Sequence, residues 1–307
     1  MFGQAGISEQ VFHVYQRTED GGLLFYSATD FLVYYTVFSK YARRNGLRVL
    51  ALCQMYDHIH SIVSVTNPRM LSCFYRECNI AFSKEFKRFN LLDGPLFESP
   101  FGRAEKKGEK RIRTALAYVY NNPVERKICA RAEDYQWNYL AYAKTDHPFS
   151  DPIVLRKASH PMRMALQEIG AVRRRDGYLR HAQLNRLFAS LTWAQKKQLA
   201  DAVIRQWSCI DYNALSSYYD SFEAMLTAFA SNTGSEYDIK ERFDPWSDRM
   251  YGRMSALLIK KGMVRRPSEV IGMNKDRKFE LLRFLSGAIM ATPHQIGKYL
   301  HLPIQYV

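Results

Sequence analysis

Residues 48–65 read RVLALCQMYDHIHSIVSV, and the fold turns on them. Two runs, 48–55 and 58–65, are rich in β-branched and apolar residues and are separated only by Tyr56-Asp57, which predicts two strands joined by a tight turn. Working outward, residues 11–18 (VFHVYQRT) mix β-branched and aromatic side chains and predict another strand, closed by the turn signal Glu19-Asp20-Gly21-Gly22. Asp30 is placed to cap a helix running to about Arg44, with Phe31, Tyr34, Tyr35 and Phe38 on one face and Gly46 ending it. On the far side of the strand pair, Pro68 opens a second helix over about 70–89. Residues 94–102 (GPLFESPFG) read as a short strand or ordered loop. The lysine-rich segment 105–113 leads into a third helix that reaches Asn122, where Pro123 limits it. The order β-α-β-β-α-β-α predicts an α+β fold built on an antiparallel, ferredoxin-like sheet with helices.

Pro148, Pro152 and Pro161 punctuate a polar stretch and set a boundary there, dividing the chain into 1–147 and 148–307. Beyond it the periodicity is helical over 162–174, 181–190, 192–207, 212–229, 249–261 and 277–290, which predicts a mostly α-helical accessory domain. Residues 292–300 carry an N-cap, a proline at the first helical position and an apolar stripe, like the first helix of a helix-turn-helix. Residues 304–307 after Pro303 are too few for a recognition helix.

The composition, 47% hydrophobic and 24% charged, is that of a globular chain rather than a disordered one. Its net charge of +14 is spread over both halves and points to a polyanionic partner. Nucleic acid comes first and an anionic membrane surface second, although many basic proteins bind neither. No apolar run approaches the roughly 20 residues that cross a bilayer, and MFGQAGISEQ at the start has no signal-peptide pattern. Cys53, Cys73, Cys78, Cys129 and Cys209 are odd in number and never form a C-x-x-C pair, which fits a reducing, cytoplasmic setting and argues against a zinc site or disulfide framework.

Two motifs carry chemistry. His58-Ile59-His60 puts two imidazoles on one face of a strand, because residues two apart point the same way, and such a pair suits one divalent cation. Taken alone, a coincidental H-x-H on an ordinary strand is the better explanation, because so short a motif often arises by chance. Tyr118 and Asn122, in Tyr118-Val119-Tyr120-Asn121-Asn122-Pro123, are i and i+4 on the third helix, so their side chains meet. The first supplies a phenol nucleophile and the second an amide oxygen ligand; a buried tyrosine followed by a C-cap asparagine is the plain alternative. Tyr120 is the next nucleophile in line.

Taken together, these motifs resemble those of the HUH single-tyrosine transposases, particularly the REP-associated tyrosine transposases of bacteria. The resemblance spans about 11–140, just under half the chain. It begins with His13-Val14-Tyr15-Gln16-Arg17 against the family's H-V-x-x-R. It continues through Met55-Tyr56-Asp57-His58-Ile59-His60, then Gly94-Pro95-Leu96-Phe97, then Tyr118 to Val124. It closes with Ala132-Glu133-Asp134-Tyr135-Gln136-Trp137-Asn138-Tyr139. Tyr56-Asp57 replaces the usual Pro-Asn; Asp57 adds negative charge behind the ligands or serves only as a turn residue, the commoner role.

The resemblance implies a nuclease and strand transferase for single-stranded DNA that carries a hairpin. In it His58, His60 and Asn122 hold Mg²⁺ or Mn²⁺, and Tyr118 forms a 5′-phosphotyrosine. It places such a protein in the bacterial cytoplasm, at the nucleoid, and leaves a monomer or a homodimer open. Arg17 is a candidate phosphate ligand, and Lys106, Lys107, Lys110, Arg111 and Arg113 lie just before the nucleophile helix, as phosphate contacts or as a solvated basic loop. A flat sheet face crossed by one helix predicts a shallow site. Relaxases and replication initiators share the histidine pair, but they usually carry more ligands and larger chains, and this sequence lacks a third nearby histidine. A repressor that kept the fold without the chemistry is the non-enzyme alternative.

Overall fold

The computed structural model describes residues 9–98, 101–231 and 246–303; the start of the chain read above for a signal peptide and the tail after Pro303 lie outside them. The elements run β1 (Gln10–Arg17), α1 (Ala28–Arg44), β2 (Arg48–Gln54), β3 (His58–Val65), α2 (Pro68–Asn90), β4 (Gly102–Lys106) and α3 (Glu109–Glu125). The four strands form one antiparallel sheet in the order β2-β3-β1-β4, so the fold is α+β with the predicted element order. The Tyr56-Asp57 turn is closed by Met55 N–H donating to the His58 carbonyl at 2.9 Å.

Strand alternation sorts the core into two layers. Phe12, Val14, Ile59, Val63 and Val65 pack with α1 and α2, whereas Val11 and Ile62 pack with α3. A register shift between Val49 and Ala51 breaks the alternation of β2, which is why Val49 and Leu52 share the α1 face while Leu50, Ala51 and Cys53 meet α3.

The fourth strand falls at 102–106, not at 94–102. Residues 96–98 instead make isolated pairings with the end of β1, Glu19 N–H to the Leu96 carbonyl at 3.1 Å and Glu98 N–H to the Arg17 carbonyl at 3.1 Å. Of the lysine-rich segment, only Glu105 and Lys106 belong to this charged edge strand, a composition that discourages further pairing, and residues 109–113 form the start of α3 rather than a lead into it. Helix α3 also runs past Pro123 to Glu125. A proline so near the C-terminus forfeits one backbone hydrogen bond, and the turn still closes through Arg126 N–H to the Asn122 carbonyl and Ile128 N–H to the Pro123 carbonyl.

The later helices are α4 (His160–Arg174), α5 (His181–Ala189), α6 (Trp193–Gln206), α7 (Tyr212–Ser216), α8 (Phe222–Ala230), α9 (Arg249–Lys260), α10 (Lys275–Ala288) and α11 (Pro293–Leu300). The single helix predicted over 212–229 is two, because the Ser221 hydroxyl accepts from Ala224 N–H at 3.0 Å and starts α8 afresh. Helices α5 and α6 pack on α1, which is buried without a break from Thr29 to Ser39, and one cluster of buried side chains runs from Phe12 to Leu302. At its centre the buried His181 Nε2 lies 3.2 Å from Asp30 Oδ1 and Nδ1 lies 3.5 Å from Glu85 Oε1, tying α5 to α1 and α2. The five cysteines are free, and no helix among the described residues is long and apolar enough to cross a membrane.

Candidate functional site

The α3-facing side of the sheet gathers the chemistry. His58 and His60 both point there, with ring centroids 4.9 Å apart. In the antiparallel register Arg17 stands opposite His58 and Tyr15 opposite His60. The same alternation puts His13 on this face, so the expectation that no third histidine lies near the pair is corrected by strand pairing. His13 Nε2 lies 3.1 Å from His60 Nδ1. Helix α3 crosses above, and its i, i+4 spacing brings down Tyr118 and Asn122 together. The Tyr118 ring centroid is 5.5 Å from that of His60 and 5.8 Å from that of His13, and Asn122 Nδ2 is 3.5 Å from His60 Nε2. His58, His60, Tyr118 and Asn122, read from two distant motifs, thus converge. Tyr120 does not join them: its hydroxyl donates to the Leu50 carbonyl at 3.0 Å and its ring stacks on Phe229.

The site is not shallow. His60 is wholly buried and Tyr118 is 4% exposed. The half-buried Tyr15 lies beside both imidazoles, its ring 5.5 Å from His58 and 5.1 Å from His60. The expected shallow face already counted the crossing helix; the Tyr15 ring beside the imidazoles adds to its cover.

Hydrogen bonds set the imidazoles. His58 Nδ1 lies 2.7 Å from Asp57 Oδ1; a carboxylate only accepts, so the proton sits on Nδ1 and Nε2 is the basic nitrogen. The other Asp57 oxygen takes the ammonium of Lys298, from α11. Burial by itself raises the Asp57 carboxyl, but Lys298 and then His58 outweigh it and hold the group well below its usual value. Asp248 next to it is pushed up to about 7, by burial and then by the charge of Asp57. Asp57 is therefore more than a turn residue.

Two imidazoles and a carboxamide oxygen are a donor set that suits a divalent cation. The fit is supported by Asn122 Oδ1, which is buried with no hydrogen-bond partner among the described residues, as an atom reserved for a cation would be. Among the described residues, no three His, Cys, Asp or Glu side chains are grouped to hold a metal, so the set depends on the asparagine.

The basic residues lie at both ends of this face. Arg17, half-exposed, pairs with Glu98, including Nη2 to Oε1 at 3.2 Å. At the other end Lys107, Lys110, Arg111 and Arg113 are exposed, Arg113 paired with Glu109 at 2.8 Å. Lys106 is buried at the end of β4 and presents no charge to solvent.

No family model matches the chain, and no curated protein does. Among solved structures, it is similar to a REP-associated tyrosine transposase bound to a REP hairpin. That likeness has a TM-score of 0.36 and 18% sequence identity, over 50% of this chain and 88% of the other.

Three members of the cluster were given no role by the sequence reading, although His13 and Tyr15 lie within one of its motifs. His13 and Tyr15 were signalled by alternation along β1, which puts them with Arg17 on one face. Nothing local signals Lys298, 241 residues from Asp57.

Proposed function

We propose that this chain cuts and rejoins single-stranded DNA beside a hairpin, with Tyr118 as nucleophile and His58, His60 and Asn122 holding Mg²⁺ or Mn²⁺. The observation that carries the reading is the meeting of Tyr118 and Asn122, one turn apart on α3, with the paired histidines of β3. A bound cation would supply Lewis acidity to a non-bridging oxygen of the scissile phosphate. Tyr118 Oη attacks phosphorus, the P–O3′ bond breaks, and the leaving 3′ oxygen takes up a proton as the phenol gives one up. The phosphotyrosine conserves the bond, so a new 3′-hydroxyl reverses the step and joins another strand. Asp57 and His13 hold the two imidazoles in orientation, and burial keeps water from hydrolysing the adduct. Exposed cations at both ends of the face hold the flanking phosphates, and residues 148–307 form an accessory helical part that grips the hairpin.

The test is incubation of parent and Tyr118→Phe with labelled hairpin oligonucleotides and Mn²⁺. The parent forms an SDS-resistant protein–DNA adduct; the variant forms none and still binds the hairpin. An adduct with the variant would remove Tyr118 from the role.

A further inference from the structure

The C-terminal helix α11 reaches the candidate site through one lysine. Asp57 Oδ1 takes His58 Nδ1–H at 2.7 Å, and Asp57 Oδ2 takes Lys298 Nζ. This lysine is no loose surface group: its side chain is 21% exposed, and α11 is fixed on several sides. Thr292 and Gln295 form a reciprocal cap at its start, and Gln295 Nε2 donates to the Ser247 carbonyl at 3.1 Å. Tyr26 Oη donates to the Tyr299 carbonyl at 2.7 Å, and His301 Nδ1 at the end of the helix is 2.5 Å from Asp20 Oδ2. The helix is thus anchored to the 18–27 loop and presents Lys298 to the β2–β3 turn.

We propose that Lys298 and Asp57 are positioning residues for His58: the ammonium fixes the carboxylate, the carboxylate keeps the imidazole proton on Nδ1, and Nε2 is left as the ligating nitrogen. The physical reason lies in the alternatives open to a buried carboxylate. Without the ammonium, Asp57 is a buried anion that has lost the cation on its second oxygen, and its carboxylate is no longer held in place. A carboxylate that turns away releases His58 Nδ1, and the ring then samples both tautomers and other orientations. Partners that hold a ligating histidine by its second nitrogen commonly change metal affinity by 10–100-fold. Here that partner is itself held by a helix from the other end of the chain, so the second half of the protein helps to set the ligand geometry of the first.

A mere staple between α11 and the turn would leave the imidazole tautomer alone, and this separates the two roles. The full chain, labelled with ¹⁵N-histidine and free of metal, is read by long-range proton–nitrogen correlation, with the His58 ring assigned by loss of its signals in His58→Gln. The parent is expected to show His58 protonated at Nδ1. Lys298→Met, which keeps the stem and loses the charge, is expected to average the two nitrogen shifts, and Lys298→Arg to restore them. Asp57→Ala gives the same averaging; if it fails to fold, as circular dichroism would show, Lys298→Met carries the test. In Mn²⁺ titrations Lys298→Met and Asp57→Ala bind about tenfold more weakly than the parent, and the double variant no more weakly than Asp57→Ala.

The link to cation binding rests on the metal site proposed above, whereas the tautomer does not. A parent that binds no Mn²⁺ while its His58 tautomer responds to Lys298→Met upholds the positioning and overturns the metal site. A parent ring protonated at Nε2, or a tautomer unchanged in Lys298→Met, overturns the positioning.

Discussion

His60 is the most crowded of the site residues: His13 takes its Nδ1, the Asn122 amide faces its Nε2, and the Tyr118 and Tyr15 rings flank it. Its replacement by Ala should abolish Mn²⁺ binding and strand cleavage together, whereas His13→Ala, which removes only support, should weaken Mn²⁺ binding about tenfold. Isothermal titration separates the two, and equal losses would make His13 a ligand rather than a support. Asn122 offers a sharper test, because its Oδ1 is buried without a hydrogen-bond partner among the described residues. Asn122→Asp puts an unpaired charge in that place, so the metal-free variant should lose about 1–3 kcal/mol of stability. Mn²⁺ should return it, since a ligand that binds only the folded state stabilises it by mass action. Melting temperatures in EDTA and in Mn²⁺ check this; a variant whose melting point ignores Mn²⁺ would argue against a cation at Asn122.

Among elements, the junction of α1, α2 and α5 is held by a buried charge cluster. Burial works to lower the His181 pKa, but Asp30 and then Glu85 outweigh it and raise it above its ordinary value. Burial works to raise Glu85, but His181 outweighs it and the carboxyl is lowered. The raised histidine contributes stability that is complete below its unfolded pKa, near 6.5, and is lost as pH rises through the folded value. The lowered glutamate contributes stability that is present above its unfolded pKa, near 4.3, and is lost as pH falls through the folded value. His181→Gln should therefore cost most, about 3 kcal/mol, between about pH 4.5 and 6.5, and less at pH 9. Denaturant unfolding across pH reads this, and a flat difference between variant and parent would mean that the imidazole is neutral throughout. A second junction rests on a small residue. A Cβ added at Gly22 would stand 2.3 Å from Cε1 of His301, so Gly22→Ala should dislodge the end of α11, lower the melting temperature by several degrees and, through Lys298, disturb the tautomer of His58.

At the scale of the molecule, the net charge of +14 and the exposed cations at both ends of the candidate site favour a strand that runs along the face. Hairpin affinity should then fall linearly in log–log plots against salt, with a slope that drops by about one when Arg111 is replaced by Ala. Filter binding over a salt series measures it; a slope unchanged in Arg111→Ala would take that residue off the phosphate path. The buried site also bears on the form of the substrate. Duplex DNA is stiff over tens of base pairs and cannot feed one strand under α3 beside Tyr15, while a single strand can. Cleavage of matched hairpin, unstructured and duplex oligonucleotides should therefore leave the duplex uncut.

The sequence by itself determined the strand pair 48–65, the element order and the two i, i+2 and i, i+4 constellations. Each is a local property: alternation, helical period and turn chemistry act over a few residues, and His58 with His60, or Tyr118 with Asn122, are neighbours on one element whatever surrounds them. Register and packing were decided only in three dimensions. Which residues of β1 face His60 depends on pairing across 47 positions, so the place of His13 beside it came only with the fold. That Tyr118 lies beside the histidines and Tyr120 turns to the Leu50 carbonyl depends on which face of α3 meets the sheet. The continuous burial of α1 depends on α5 and α6 packing on it, so that Leu32, Val33, Thr36 and Val37 are covered as well as the aromatic face, and the cover over the site depends on where Tyr15 falls. Lys298 is the extreme case: an ordinary lysine on an amphipathic helix, given its role by an ion pair with Asp57 that no local pattern encodes.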